Sequence, residues 1–132
     1  MHYSRRLRRL LADADVDLIF HCCGEVTDQI VQRFVQLDPA ILSLGSGRKL
    51  WEVAPLVPKT TVLFGNLPSR KFFSDGEITV EEVVRQAREL LLRMRQAGHP
   101  FILGSECDVL SVPGAHETIL RKVEAFLNVP AD

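Results

Sequence analysis

The sequence predicts a single α/β domain over residues 1–132, made of about four βα units around parallel strands. Three observations carry that expectation. Short β-rich apolar runs alternate with segments of helical spacing, as in a parallel sheet whose strands are joined by crossover helices. The composition, 46% hydrophobic and 25% charged, is that of an ordinary globular domain. No repeat, low-complexity tract or internal linker divides the 132 residues, a length that normally makes one domain.

The elements follow in order. Tyr3–Ala14 reads as a helix leading into the first strand, Val16–Cys23 (VDLIFHCC). Thr27–Leu37 has helical spacing, with Ile30, Val31, Phe34 and Leu37 on one face. Ala40–Leu44 is a second apolar run, and Lys49–Leu56 forms a short helix ended by Pro55 and Pro58. Thr60–Phe64 is a third strand, closed by Gly65-Asn66. Thr79–Ala97 is the clearest helix: Thr79 and Glu82 match a capping box, and Gly98 and Pro100 supply the stop. Phe101–Gly104 is the fourth strand, and Pro113-Gly114 opens a last helix, Ala115–Leu127. Four such units suit a small doubly wound sheet. They are also half of an eight-unit barrel, which takes about 250 residues.

Charge and hydropathy exclude several classes. The 16 basic and 17 acidic residues leave a net charge of −1, which speaks against binding nucleic acid or an anionic membrane through bulk charge. No apolar run approaches a transmembrane length. Met1–Arg9 is basic, but only Leu10–Ala12 follows before Asp13, so no signal-peptide core is read and a cytoplasmic protein is expected. Three cysteines, two of them adjacent, argue for thiol or metal chemistry over a disulfide scaffold.

In parallel α/β folds the working residues gather beyond the carboxyl ends of the strands. Here those ends read His21–Glu25 (HCCGE), Ser43–Gly47 (SLGSG), Gly65-Asn66 and Gly104–Asp108 (GSECD). His21 and Cys23 are two apart, so a strand points both to one face and turns Cys22 under the covering helices. Cys107 lies at the equivalent end of the fourth strand. One imidazole and two thiolates converging on one rim would make a three-ligand zinc site with its fourth position open. Cysteine is also a common small packing residue, and spacing alone leaves that reading open.

The segments Asp17–Ile30 (DLIFHCCGEVTDQI), Val62–Leu67, Ile78–Leu91 and Phe101–Ile119 (FILGSECDVLSVPGAHETI) resemble the C-terminal half of the uroporphyrinogen decarboxylase superfamily. The resemblance implies a (β/α)8 TIM barrel of which this chain supplies roughly the last four units. His21, Cys23 and Cys107 match the His-x-Cys motif and distant Cys with which the corrinoid methyltransferase branch binds zinc. The implied function is zinc-dependent methyl transfer, in which a metal-activated thiol accepts a methyl group from a corrinoid carrier. Implied partners are a corrinoid protein or a methylated small molecule.

The metal-free decarboxylase branch is the alternative. It relies largely on an acidic residue and arginines of the N-terminal half of the barrel, for which this chain has no replacement. A non-catalytic association module left from a larger barrel is a third reading. Some family members place an acid near the metal after the strand corresponding to Ala40–Leu44. This chain has Gly45 and Ser46 there, and Glu25 and Glu106 are the candidate substitutes. A half-barrel exposes two strand edges. Dimerisation, another polypeptide or the missing N-terminal half would cover them.

Other residues carry paired readings. Asp108 and Glu106 flank Cys107 and suit support of a ligand or a solvated loop. Asn66 suits substrate binding at the rim or a Gly-Asn turn. Arg5, Arg6, Arg8 and Arg9 read as a solvated helix face, His99 and His116 as exposed, and Trp51 as packed. Pro68–Glu77 is the longest irregular stretch, and its Phe72-Phe73 pair is expected to pack outside the chain.

Overall fold

Four parallel strands form one sheet in the order β1-β2-β3-β4. The computed structural model describes residues 2–130; Met1 and the last two residues lie outside the described part. The strands are β1 (Ile19–Cys22), β2 (Ile41–Leu44), β3 (Val62–Leu67) and β4 (Phe101–Ser105). The helices are α1 (His2–Asp13), α2 (Asp28–Val35), α3 (Leu50–Val53), α4 (Val80–Ala97) and α5 (His116–Leu127). Short 3-10 turns occupy Ala54–Leu56 and Ser69–Lys71. Sequence and structure thus agree on alternating βα units around a parallel sheet. Among the described residues no helix is long and apolar enough to cross a membrane.

Sequential strand order decides where the helices go. Right-handed crossovers between neighbouring parallel strands, each stepping the same way, place their helices on one face. The packing agrees. Phe20, Cys22, Leu42, Leu44, Leu63, Phe101 and Leu103 point into one core with Val31 of α2, Val53 of α3, Val83, Ala87, Leu90 and Met94 of α4, and Ile119 and Phe126 of α5. Cys22 therefore sits under the helices, as the two-residue alternation requires. Phe20 and Phe34 stack with ring centroids 4.6 Å apart, tying β1 to α2.

The alternate residues Ile19, Ile41, Val62, Phe64 and Ile102 belong to the other face and to no part of that core. Ile19 is 65% exposed and Ile102 44%. Gly104 also lies on this face, and its lack of a side chain matters. A Cβ there would stand 2.3 Å from the Phe64 ring, so glycine lets that ring lie across β4.

The termini of the helices follow their caps. The Thr27 side chain accepts from the Ile30 amide, and Thr79 accepts from the Glu82 amide. The capping box on α4 is only half made, because the Glu82 carboxylate bonds Arg85 and Gln86 instead of reaching back. Those hydrogen bonds hold the Glu82 carboxyl down at about 2. Gly98 ends α4 with φ of 63°, a left-handed conformation that favours glycine.

Three local expectations change. β3 does not stop at Phe64 but runs through Gly65 and Asn66 to Leu67, because β4 pairs alongside as far as Ser105. Phe72 packs inside the chain, fully buried against Phe126, while Phe73 is 38% exposed. His99 is buried rather than exposed, its Nε2 2.8 Å from the Thr61 carbonyl oxygen, where the chain turns from α4 into β4. His116 is exposed as expected. Arg8 lies over the end of α2 and donates to the Leu37 and Asp38 carbonyls, and Arg5 donates to Gln36. Trp51 is half-buried against the core, with Lys49 and Arg93 stacked over its ring.

Candidate metal centre

Parallel pairing brings residues of different strands to one level. His21 of β1 stands beside Ser43 of β2, which stands beside Phe64 of β3, on the face away from the helices. The His21 Nδ1 is 2.9 Å from the Ser43 Oγ. When Nδ1 carries the proton and donates it to Ser43, Nε2 keeps its lone pair free for a metal.

Cys23 follows β1 directly, and Cys107 follows β4 by two residues. In a flat sheet, strands about 4.8 Å apart would put the two edge strands roughly 14 Å from each other. Here one ligand atom from each of His21, Cys23 and Cys107 lies within 4.8 Å of the others. The turn after β4 accounts for part of that approach. The Glu106 amide donates to the Leu67 carbonyl at 2.7 Å, and the Ser69 hydroxyl donates to the Cys107 and Asp108 carbonyls at 3.1 and 3.2 Å. The Ser105 hydroxyl donates to the Cys107 carbonyl as well, at 2.8 Å. These bonds hold the turn over the ends of β3 and β4, with the Cys107 thiol beside the products of β1.

The cavity in front of the cluster is lined by His21, Cys23, Ser43, Phe64, Ser105, Cys107 and Asp108. His21 is exposed, and the two cysteines are half-buried. Hydrogen bonds involving His21, Arg70, the Asp108 backbone and Cys23 pull the Cys107 thiol from its ordinary value of 9.0 down to about 7. Near neutral pH it is therefore about half thiolate, the form that ligates metal. One imidazole and two thiols, one already biased towards thiolate, fit a borderline-soft ion such as zinc. No further His, Cys, Asp or Glu among the described residues joins the group, so the protein offers three ligands.

The other sequence candidates fall in separate places. Glu106 is buried, and its Oε2 accepts from the Ser46 amide at 2.9 Å, so it reaches the loop after β2. Glu25 is exposed just after the His-x-Cys segment and does not join the cluster. Asn66 is buried within β3 rather than in a turn, on the wall of a second cavity beside Ser46, Arg48 and Trp51. Its Nδ2 donates to the Gly45 and Arg48 carbonyls, at 2.9 and 2.6 Å, and so fixes the loop that follows β2. Asp108 is exposed on the cavity wall.

Sequence reading missed Arg70. Its guanidinium donates to Cys23 Sγ at 3.2 Å and to Cys107 Sγ at 3.6 Å. Nothing in the linear pattern singles it out, since it is one basic residue in an irregular stretch. Compared with known proteins, the chain matches no family model and no curated protein.

Proposed function

We propose that this chain binds zinc through His21, Cys23 and Cys107 and uses the open fourth position to activate a thiol as a methyl acceptor. The observation that carries the reading is the convergence of one imidazole and two thiols, from the two edge strands, within 4.8 Å. Zinc, when bound, supplies the positive charge that keeps a thiol ionised at neutral pH. The chain's own residues do the rest. Ser43 fixes the His21 ring, the Ser69 and Ser105 hydroxyls hold the Cys107 segment, and Phe64 lines the cavity from which a substrate approaches. The finer architecture we propose is the C-terminal half of a (β/α)8 barrel. Sequential parallel order with helices on one face is its geometry. A corrinoid protein or another methylated molecule is then the methyl donor, and a cytoplasmic, thiol-reducing environment suits the free cysteines.

The test is metal content of the purified full chain, followed by methyl transfer from methylcobalamin to a thiol. About one zinc per chain, lost in Cys23→Ser and Cys107→Ser, is the expected result. Protein that stays empty after zinc is added overturns the reading. Porphyrinogen decarboxylation without metal would select the decarboxylase alternative instead.

The bare face of the sheet favours a second reading, an association module. Ile19 and Ile102 are exposed there, and the outer edges of β1 and β4 have no strand beside them among the described residues. Zinc bound without methyl transfer, in a protein whose solution mass exceeds one chain, would select it.

A further inference from the structure

The second cavity shares no lining residue with the one in front of the cysteine cluster. Its walls come from the loop after β2, the start of α3, the end of β3 and α4, and its volume is about 180 Å³. Pockets for drug-sized molecules start at roughly 300 Å³, so this one suits a molecule of small amino-acid size.

Asn66 is its most buried polar side chain, only 7% exposed. The Asn66 Nδ2 donates to two carbonyls, those of Gly45 and Arg48. With both amide hydrogens engaged, the orientation of the group is fixed and Oδ1 is turned away from that loop. Among the described residues no donor reaches Oδ1, and no fully buried side-chain oxygen is left without a partner, so Oδ1 is open to the cavity. An acceptor held in that way calls for an N–H or O–H from a ligand.

The charges around it are separated. Lys49 Nζ lies 5.0 Å over the Trp51 ring and pairs with no carboxylate among the described residues. Arg48, its neighbour, is already answered by Asp28. On α4, Arg85 pairs with both Glu82 and Glu89, at 2.6 and 3.3 Å, which leaves that group with one negative charge in excess. A simple anion would be repelled by Glu89, and a simple cation by Lys49. A molecule with one charge of each sign answers both.

We propose that this cavity binds a small α-amino acid, whose carboxylate pairs with Lys49 and whose ammonium group donates to Asn66 Oδ1 and the Glu89 carboxylate. The site is separate from the metal centre and does not depend on its occupancy.

Trp51 is the one tryptophan of the chain, so its fluorescence reports what enters the cavity. The full chain is titrated with L-alanine, L-serine and L-aspartate, and then with propionate and ethylamine, each of which lacks one charged end of alanine. Equilibrium dialysis with the radiolabelled amino acids checks for binding that leaves the fluorescence unchanged. At least one amino acid is expected to saturate with a Kd of roughly 1 mM or tighter. Propionate and ethylamine are expected to bind at least about tenfold more weakly, as loss of a charge-assisted hydrogen bond requires. K49Q and E89Q, at positions outside the fully buried core, should each weaken the amino acid about tenfold, whereas C23S should bind it unchanged. Absence of binding by both methods overturns the proposal, as does equal binding of alanine and its two single-charge analogues. Loss of binding in C23S would put the amino acid on the metal centre and overturn the second site while leaving the first.

Discussion

The two faces of the sheet are made from alternate residues of the same four strands, yet they behave as different materials. Leu42, Leu44 and Leu63 point to the helices and are fully buried. Their neighbours one residue away, Ile41, Ser43 and Phe64, point to the other side, where His21 and the mouth of the cavity lie. The first face supplies cohesion, because it removes large apolar side chains from water against four helices. The second leaves polar and thiol groups accessible on strands that the first face packs in place. A site on strand ends keeps its geometry only while the opposite face stays packed.

The sharpest way to break that division is to truncate one residue on each face. Leu63→Ala leaves a cavity in a fully buried position and is expected to cost about 2–5 kcal/mol in urea unfolding. Ile102→Ala, on the next strand but on the bare side and 44% exposed, is expected to cost less than about 1 kcal/mol. Equal losses would mean that the second face is covered in solution, which is what an association module requires.

A smaller and more local effect separates the cavity from the core. Ser43 is buried, but its hydroxyl serves His21. Ser43→Ala is expected to weaken zinc binding about tenfold by freeing the imidazole to rotate. Competition with a chromophoric chelator measures this directly. Unchanged affinity would show that the orientation of His21 is set by something other than Ser43.

The same contrast explains what the sequence makes legible. Alternation of apolar runs and helical segments reveals every strand and helix of the helix-covered side, because burial on one face imposes a period on the chain. Thr27, Thr79 and Gly98 mark helix ends because capping is local. His21 and Cys23 are legible as a pair because they are two residues apart. Their approach to Cys107 follows from the expectation that all strand ends share one rim. What stays hidden depends on a second segment. Gly65-Asn66 has turn composition but continues β3 because β4 lies beside it. His99 and Phe72 sit in stretches with loop signals and are buried by Thr61 and Phe126. Arg70 meets the sulfurs through a turn fastened by Ser69 and Lys122, and no periodicity announces such a contact.

The mildest perturbation is protonation of a single ligand. Cys107 is depressed to about 7 by hydrogen bonds, first involving His21 and then Arg70. Depression of an acidic group below its unfolded value stabilises the fold above the unfolded value. That contribution is fully present near pH 9 and is lost as pH falls through about 7. The group is half-buried on the wall of an open cavity, so solvent screens the effect and the change in overall stability is small. Reactivity reports it better, because only the thiolate is alkylated. In metal-free protein, iodoacetamide modification of Cys107, followed by mass spectrometry of the peptide, is expected to reach half its plateau rate near pH 7. His21→Ala should move that midpoint upward, towards the ordinary value of 9.0. Loading with zinc should suppress the modification across the whole range, since the same sulfur is then a ligand. A midpoint near 9 in the unaltered protein would mean that the imidazole and guanidinium do not reach Cys107 in solution. The accessible face would then lack the electrostatic bias that distinguishes it from a row of ordinary exposed thiols.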